Sequence, residues 1–200
     1  MKPVCYFFLN AYIKDVEEGY SSEIEYVRNL KPLKEQSFSD FIHEYVWVVL
    51  CAAFKEQYAR VIFDNFWEAV KEFNAGTGAE PFDLIRHPGK KKAIIEAFAH
   101  GKKWYTELLI SENPIEYIGT LPYMGNALTY HLARNLGIDT VKPDRHMLKL
   151  AEHFGYSSPM EMCQEIQDEF GDAPIRERLG VIDVILWRYM NLTGGKIDET

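Results

Sequence analysis

Apolar residues recur at three- and four-residue spacing along nearly the whole chain, and no convincing run alternates apolar with polar positions. A sequence patterned this way folds as helices, so the expected fold class is all-α. Phe38, Phe41, Ile42, Tyr45, Val46 and Val49 mark one helix. Tyr58, Val61, Ile62, Phe66, Ala69, Val70 and Phe73 mark a second, of about five turns, which Asn74-Ala-Gly-Thr-Gly78 stops. The spacing predicts shorter helices over 91–100 and 102–110, then Asn113 as a cap with Pro114 at the first helical position and a helix through about Ile118. Further helices are expected over 126–135, stopped at Gly137, and from Asp144 through Phe154. Ser158-Pro159-x-Glu161 reads as a capping box, and Pro174 introduces a last helix through Met190. Residues 4–13 suit a helix or a strand, and Ser21-Ser22-x-x-Glu25 suggests another helical start. The total is nine or ten helices, with no repeat and no low-complexity linker.

Two hundred residues with 47% apolar content can bury a sizeable core in one compact chain of two lobes. The longest apolar stretch, residues 46–54, is too short for a membrane span, and the N-terminus lacks the pattern of a signal peptide. The expected setting is therefore the cytoplasm, at the nucleoid in a bacterium or archaeon, and nothing demands more than a monomer. Cys5, Cys51 and Cys163 are scattered and odd in number, which argues for apolar fillers and against disulfides or a four-cysteine cluster. The six histidines have no HExxH or CxxC partner, so no metal centre is expected.

The net charge of -8 opposes a nucleic-acid partner, because phosphate binding depends on Lys and Arg. The distribution is uneven. Arg86, Lys90, Lys91, Lys92, Lys102 and Lys103 face one acid, Glu96, so residues 86–103 carry +5 and the rest -13. Residues 121–150 are also locally positive, with Arg134, Lys142, Arg145 and Lys149 against Asp139 and Asp144. A plainer reading is that Lys90 to Lys92 start a solvated helix.

The strongest local signal is a helix, the tight turn Leu121-Pro122-Tyr123-Met124-Gly125-Asn126, and a second helix with Leu128, Leu132, Ala133 and Leu136 on its apolar side. Such a turn aims backbone N–H groups outward, where they can hold a phosphate without basic side chains. An ordinary helical hairpin would show the same pattern. Seventeen residues beyond Ala127 stands Asp144, in Val141-Lys142-Pro143-Asp144-Arg145-His146-Met147-Leu148. Pro143 forces Lys142 to be extended just before a helix begins, which places Asp144 at an N-cap. Capping alone would explain it, yet the donors that make a cap also stabilise the negative charge that catalysis needs.

From Gly119 to Ala151 this order resembles the helix-hairpin-helix DNA glycosylases, whose signature is a Leu-Pro-Gly-x-Gly hairpin followed by a Gly/Pro-rich loop and a catalytic aspartate. The likeness extends more weakly to residues 44–73 and to Ile182-Asp-Val-Ile-Leu-Trp-Arg-Tyr189. It implies an active site in a cleft between two lobes: residues 37–135 with the hairpin, and residues 1–36 with 136–200 carrying the aspartate loop. It also implies base-excision repair of double-stranded DNA. A damaged (alkylated or oxidised) or mismatched base is flipped out, and Asp144 stabilises the oxocarbenium-like sugar and activates water. Leu121, Pro122, Tyr123, Met124, Gly125 and Asn126, with Lys142, Lys91 and Lys92, would contact DNA. No cofactor is required, although a monovalent cation on hairpin carbonyls around Leu121 and Met124 is implied.

The sequence departs from that family at several points. Tyr123 replaces the first hairpin glycine, where close backbone approach would favour no side chain. Ala127 stands where bifunctional relatives carry the Schiff-base lysine, which implies hydrolysis without strand cleavage; a non-standard lysine, Lys142, is the alternative nucleophile. Ala53 takes the place of the polar residue that fills the gap left by the flipped base, leaving Phe54 or Gln57 as wedge. Trp104 and Tyr105 fall where the family's base pocket lies, although such aromatics are more often core. Two further readings compete with an enzyme: a DNA-binding module that has lost turnover, and a helical protein unrelated to nucleic acid. A carboxylate beside the sugar favours catalysis over mere binding, because it would repel phosphate.

Overall fold

A computed structural model describes residues 1–171 and 177–197. Among them every regular element is helical: α1 (Pro3–Glu17), α2 (Ser21–Arg28), α3 (Phe38–Cys51), α4 (Glu56–Asn74), α5 (Pro88–Ile110), α6 (Pro114–Gly119), α7 (Asn126–Asn135), α8 (Arg145–His153), α9 (Pro159–Phe170) and α10 (Leu179–Leu192), with short 3-10 turns at Leu33–Glu35 and Pro81–Leu84. None of these helices is long and apolar enough to cross a membrane. The chain divides into two compact units, one of Met1–Leu33 with Ala133–Thr200 and the other of Lys34–Leu132.

The discontinuous unit is built on α10, which is apolar almost all round and buries eleven residues from Leu179 to Met190. Helices α1, α2, α8 and α9 cover it. Phe7, Phe8, Met147, Leu150, Met162, Ile166, Ile182 and Ile185 fill the core together with Cys5 and Cys163. Both cysteines are buried fillers; Cys51, in the other unit, is only half-buried. Residues 4–13 are helical, because Val4, Cys5, Phe7, Phe8 and Ala11 form a stripe against this core.

In the second unit α3 packs between α4 and α5. Ser37 and Asp40 cap α3 reciprocally, each side chain bonding the other's backbone N–H. The pair of helices expected over 91–100 and 102–110 is one continuous α5 of 23 residues. Gly101 does not break it. A Cβ at Gly101 would lie 2.4 Å from Ile42 Cδ1, so this glycine marks a close approach of α5 to α3.

Two caps differ from expectation. Ser158 accepts from the Glu161 N–H, but the Glu161 carboxylate returns to Ser157 instead of completing the box at Ser158. Ser21 lies inside α2, whose cap residue Tyr20 makes no side-chain cap bond, and Glu25 pairs with Arg28. The expected role of Pro174 falls outside the described residues, and α10 begins at Leu179.

Candidate active site

In the unit of residues 34–132, α6 and α7 flank the bend at 120–125. The Leu121 N–H donates to Ile118 O (3.1 Å) and the Met124 N–H to Leu121 O (3.2 Å). Tyr123 has φ 68°. This left-handed backbone costs a side-chain-bearing residue roughly 1–2 kcal/mol and glycine almost nothing. The tyrosine at the first-glycine position therefore adopts a backbone suited to glycine, and its surroundings hold it there. Its ring lies edge-on to His87, with centroids 6.0 Å apart, and a Cβ on Gly89 would come within 3.1 Å of its Cε2. The buried Tyr45 donates its hydroxyl to Pro122 O at 2.5 Å. Leu121 is buried, Pro122, Tyr123 and Met124 are half-buried, and Gly125 and Asn126 are exposed. Thr129 is the first residue of α7 whose N–H bonds a preceding carbonyl, Gly125 O at 2.9 Å, which leaves the earlier first-turn N–H groups for an external acceptor.

The α3–α4 connection holds the second left-handed residue that is not glycine, Ala53, with φ 58°. Phe54 beside it is 44% exposed, and Gln57 is exposed on the first turn of α4. Lys90 is no solvated cation. It is buried, with its amine donating to Leu50 O (2.8 Å) and Ala52 O (2.6 Å) and lying 3.6 Å from the Phe54 ring centroid. Burial lowers its pKa below the ordinary lysine value. Lys91 pairs with Asp83 (2.7 Å), Lys92 with Glu96 (3.9 Å) and Lys103 with Glu107 (3.8 Å). Such surface pairs are weak and exchange readily for another anion. Trp104 is half-buried against Tyr45 and His100, and Tyr105 bonds Gln36 O.

In the discontinuous unit Asp144 caps α8, its backbone extended at φ -89° and ψ 176°. Its Oδ1 accepts from the His146 N–H (2.9 Å) and the Met147 N–H (3.2 Å), and its Oδ2 lies 3.6 Å from Lys142 Nζ. The Lys142 amine also stands 5.8 Å from the Trp187 ring centroid. The loop leading to Asp144 is fixed from behind. Arg178 donates to Gly137 O and Leu30 O, both at 3.1 Å, and the Gly180 N–H donates to Asp139 at 3.0 Å. Gly137, with φ 79°, crosses Lys31 so closely that a Cβ would fall 1.9 Å from the Lys31 carbonyl oxygen.

The positive balance of residues 121–150 is largely engaged inside this unit. Arg134 pairs with the buried Asp183, Lys142 with Asp144, and Lys149 donates to Gly195 O. Arg145 and Lys149 are both exposed, and Arg145 has no ion pair among the described residues. The sequence reading missed His146 and Asp183. Burial lowers the His146 pKa despite the nearby Asp144 carboxylate, so its imidazole adds little positive charge beside Asp144. Its place in the first turn after the cap was the available signal. Asp183 carried none, since an acid inside an apolar helix declares its partner only after folding.

No protein-family model, curated protein or solved structure matches the chain. Among the described residues no group of three or more His, Cys, Asp and Glu side chains is arranged to hold a metal ion.

Proposed function

We propose that the chain is a DNA glycosylase that hydrolyses the N-glycosidic bond of a flipped-out damaged or mismatched base, using a helix-hairpin-helix for the backbone and Asp144 for the chemistry. Tyr123 carries the reading. It is the residue that departs most from the hairpin signature, and its backbone is nonetheless left-handed, as the missing glycine would allow. The first-turn N–H groups of α7 then take phosphate oxygens without basic side chains, which is how a chain of net charge -8 holds DNA. Lys91, Lys92 and Arg145 add charge at the surface. The Leu121 carbonyl accepts a hydrogen bond from the Met124 N–H and has a second lone pair, so the Leu121 and Met124 carbonyls would hold a monovalent cation, which would supply positive charge for a phosphate at the hairpin.

As the bond between C1′ and the base nitrogen breaks, its electron pair leaves with the base and positive charge develops on the sugar. The Asp144 carboxylate stabilises that charge and takes a proton from the water that adds to C1′. Lys142 beside it favours a second form of the same reaction, in which its amine attacks C1′. That amine must first lose the proton its ion pair retains, so hydrolysis is the primary reading.

The test is a panel of duplexes bearing alkylated, oxidised, deaminated and mismatched bases, incubated with wild type and Asp144→Asn. Wild type is expected to release a base from at least one, and the variant to lose about 100-fold or more in rate, as loss of an electrostatic catalytic group does. Release from none, or full activity in the variant, rejects the mechanism. Borohydride trapping of an adduct in wild type but not in Lys142→Gln selects the lysine form.

A further inference from the structure

Phe54, exposed on the α3–α4 connection, has one face of its ring backed by an amine that comes from neither of those helices. That amine, Lys90 Nζ, arrives from the first turn of α5 and is buried. It donates to Leu50 O and Ala52 O, carbonyls that the end of α3 leaves without helical partners. The loop is closed further by the Phe54 N–H, which donates to Cys51 O at 3.2 Å. These bonds bracket Ala53, whose φ of 58° an alanine adopts only when its neighbours enforce it. The same turn of α5 supports the other strained residue, since His87 and Gly89 pack against Tyr123. One helix end thus holds in place both left-handed residues of this unit that are not glycine.

We propose that Lys90 is a positioning residue that locks the α3–α4 connection and backs one face of Phe54, so that the ring's exposed part stacks on a nucleobase where the flipped nucleotide has left the duplex. The inference rests on the glycosylase reading and adds to it how a chain without the usual polar gap-filler presents a wedge. A cation over one face draws π density toward itself, and the opposite face then favours an electron-rich partner such as a purine. Lys90 touches no substrate. It acts through the loop.

Two measurements separate this claim from the reading beneath it. Hydrogen exchange on the DNA-free protein follows the Phe54 amide, with the α9 amides as reference. Lys90→Met is expected to speed exchange at Phe54 about tenfold with α9 unchanged, whereas Phe54→Ala leaves that amide slow. Unchanged exchange in Lys90→Met overturns the brace. The second measurement compares affinity for a duplex holding a tetrahydrofuran abasic site with affinity for the intact duplex. Wild type is expected to prefer the abasic duplex, and both variants to lose about tenfold of that preference, the size set by one base–aromatic stack. Mere destabilisation would weaken binding to both duplexes together. Phe54 is exposed, so Phe54→Ala folds whatever Lys90 contributes to stability, and retention of the preference in that variant overturns the wedge. A wild type that binds neither duplex overturns the DNA reading, while the exchange result still decides the brace.

Discussion

Two residues take a backbone that their side chains oppose, Ala53 and Tyr123, and the start of α5 supports both. Tyr123 offers the cleaner experiment, because the likeness that suggested a function expects glycine there. Tyr123→Gly relieves roughly 1–2 kcal/mol of left-handed strain but frees the unfolded chain and deletes the ring contact with His87, so stability should shift by no more than about 1 kcal/mol. Without the ring, the backbone can approach a phosphate more closely, and duplex affinity measured by fluorescence anisotropy should rise. A fall in affinity at unchanged stability would mean that the tyrosine itself contacts DNA. The sequence showed that position 123 was unusual, yet could not show how the chain resolves it, since φ depends on the packing of His87, Gly89 and Tyr45 around the bend. Lys90 is a similar case. Three consecutive lysines look solvated, and only the fold reveals that the free carbonyls at the end of α3 bury the first of them.

At the scale of elements, helix boundaries were legible wherever a local device sets them. Asn113 caps α6, α7 runs Asn126–Asn135, and Asp144 caps α8, each because a side chain, a proline or a turn acts within a few residues. Gly101 was misread because its cause lies in another helix. The close approach of α3 makes a specific prediction: Gly101→Ala gains up to about 1 kcal/mol of helix propensity but drives a methyl group into Ile42 Cδ1, and overpacking of this kind typically costs 1–3 kcal/mol. The single variant should therefore be destabilised in urea. Ile42→Val removes Cδ1, and in that background Gly101→Ala should become neutral or stabilising. A double-mutant cycle with no coupling would show that α5 tolerates a side chain there and that the glycine serves some other purpose.

For the whole molecule, stability should carry a pH dependence that nothing in the sequence announces. Asp15 lies in α1 with its side chain fully buried and both carboxyl oxygens without a hydrogen-bond partner among the described residues. Burial pushes its pKa up to about 7, with Glu23 adding to the rise and Arg188 and Lys14 opposing it. Arg188 gives only partial relief because its guanidinium is held by Glu23 and lies over Tyr20. The folded chain thus keeps a proton that the unfolded chain releases near 3.8. The folded state binds more protons between about pH 4 and 7, so stability is highest below that window, falls as pH rises through it, and has lost this contribution above 7. Asp15→Asn keeps the shape and cannot ionise. Its melting temperature should lie close to that of wild type at pH 5 and above it at pH 8, by an amount reflecting about 1–3 kcal/mol for a buried group lacking partners. Parallel melting curves for the two proteins from pH 4.5 to 8.5 would show that Asp15 gains solvent or a partner when it ionises. The melting result needs no DNA, and α1, α2 and α10 belong to the unit that also fixes Asp144. If ionisation loosens that unit, base release should decline above pH 7 in wild type and hold its rate in Asp15→Asn.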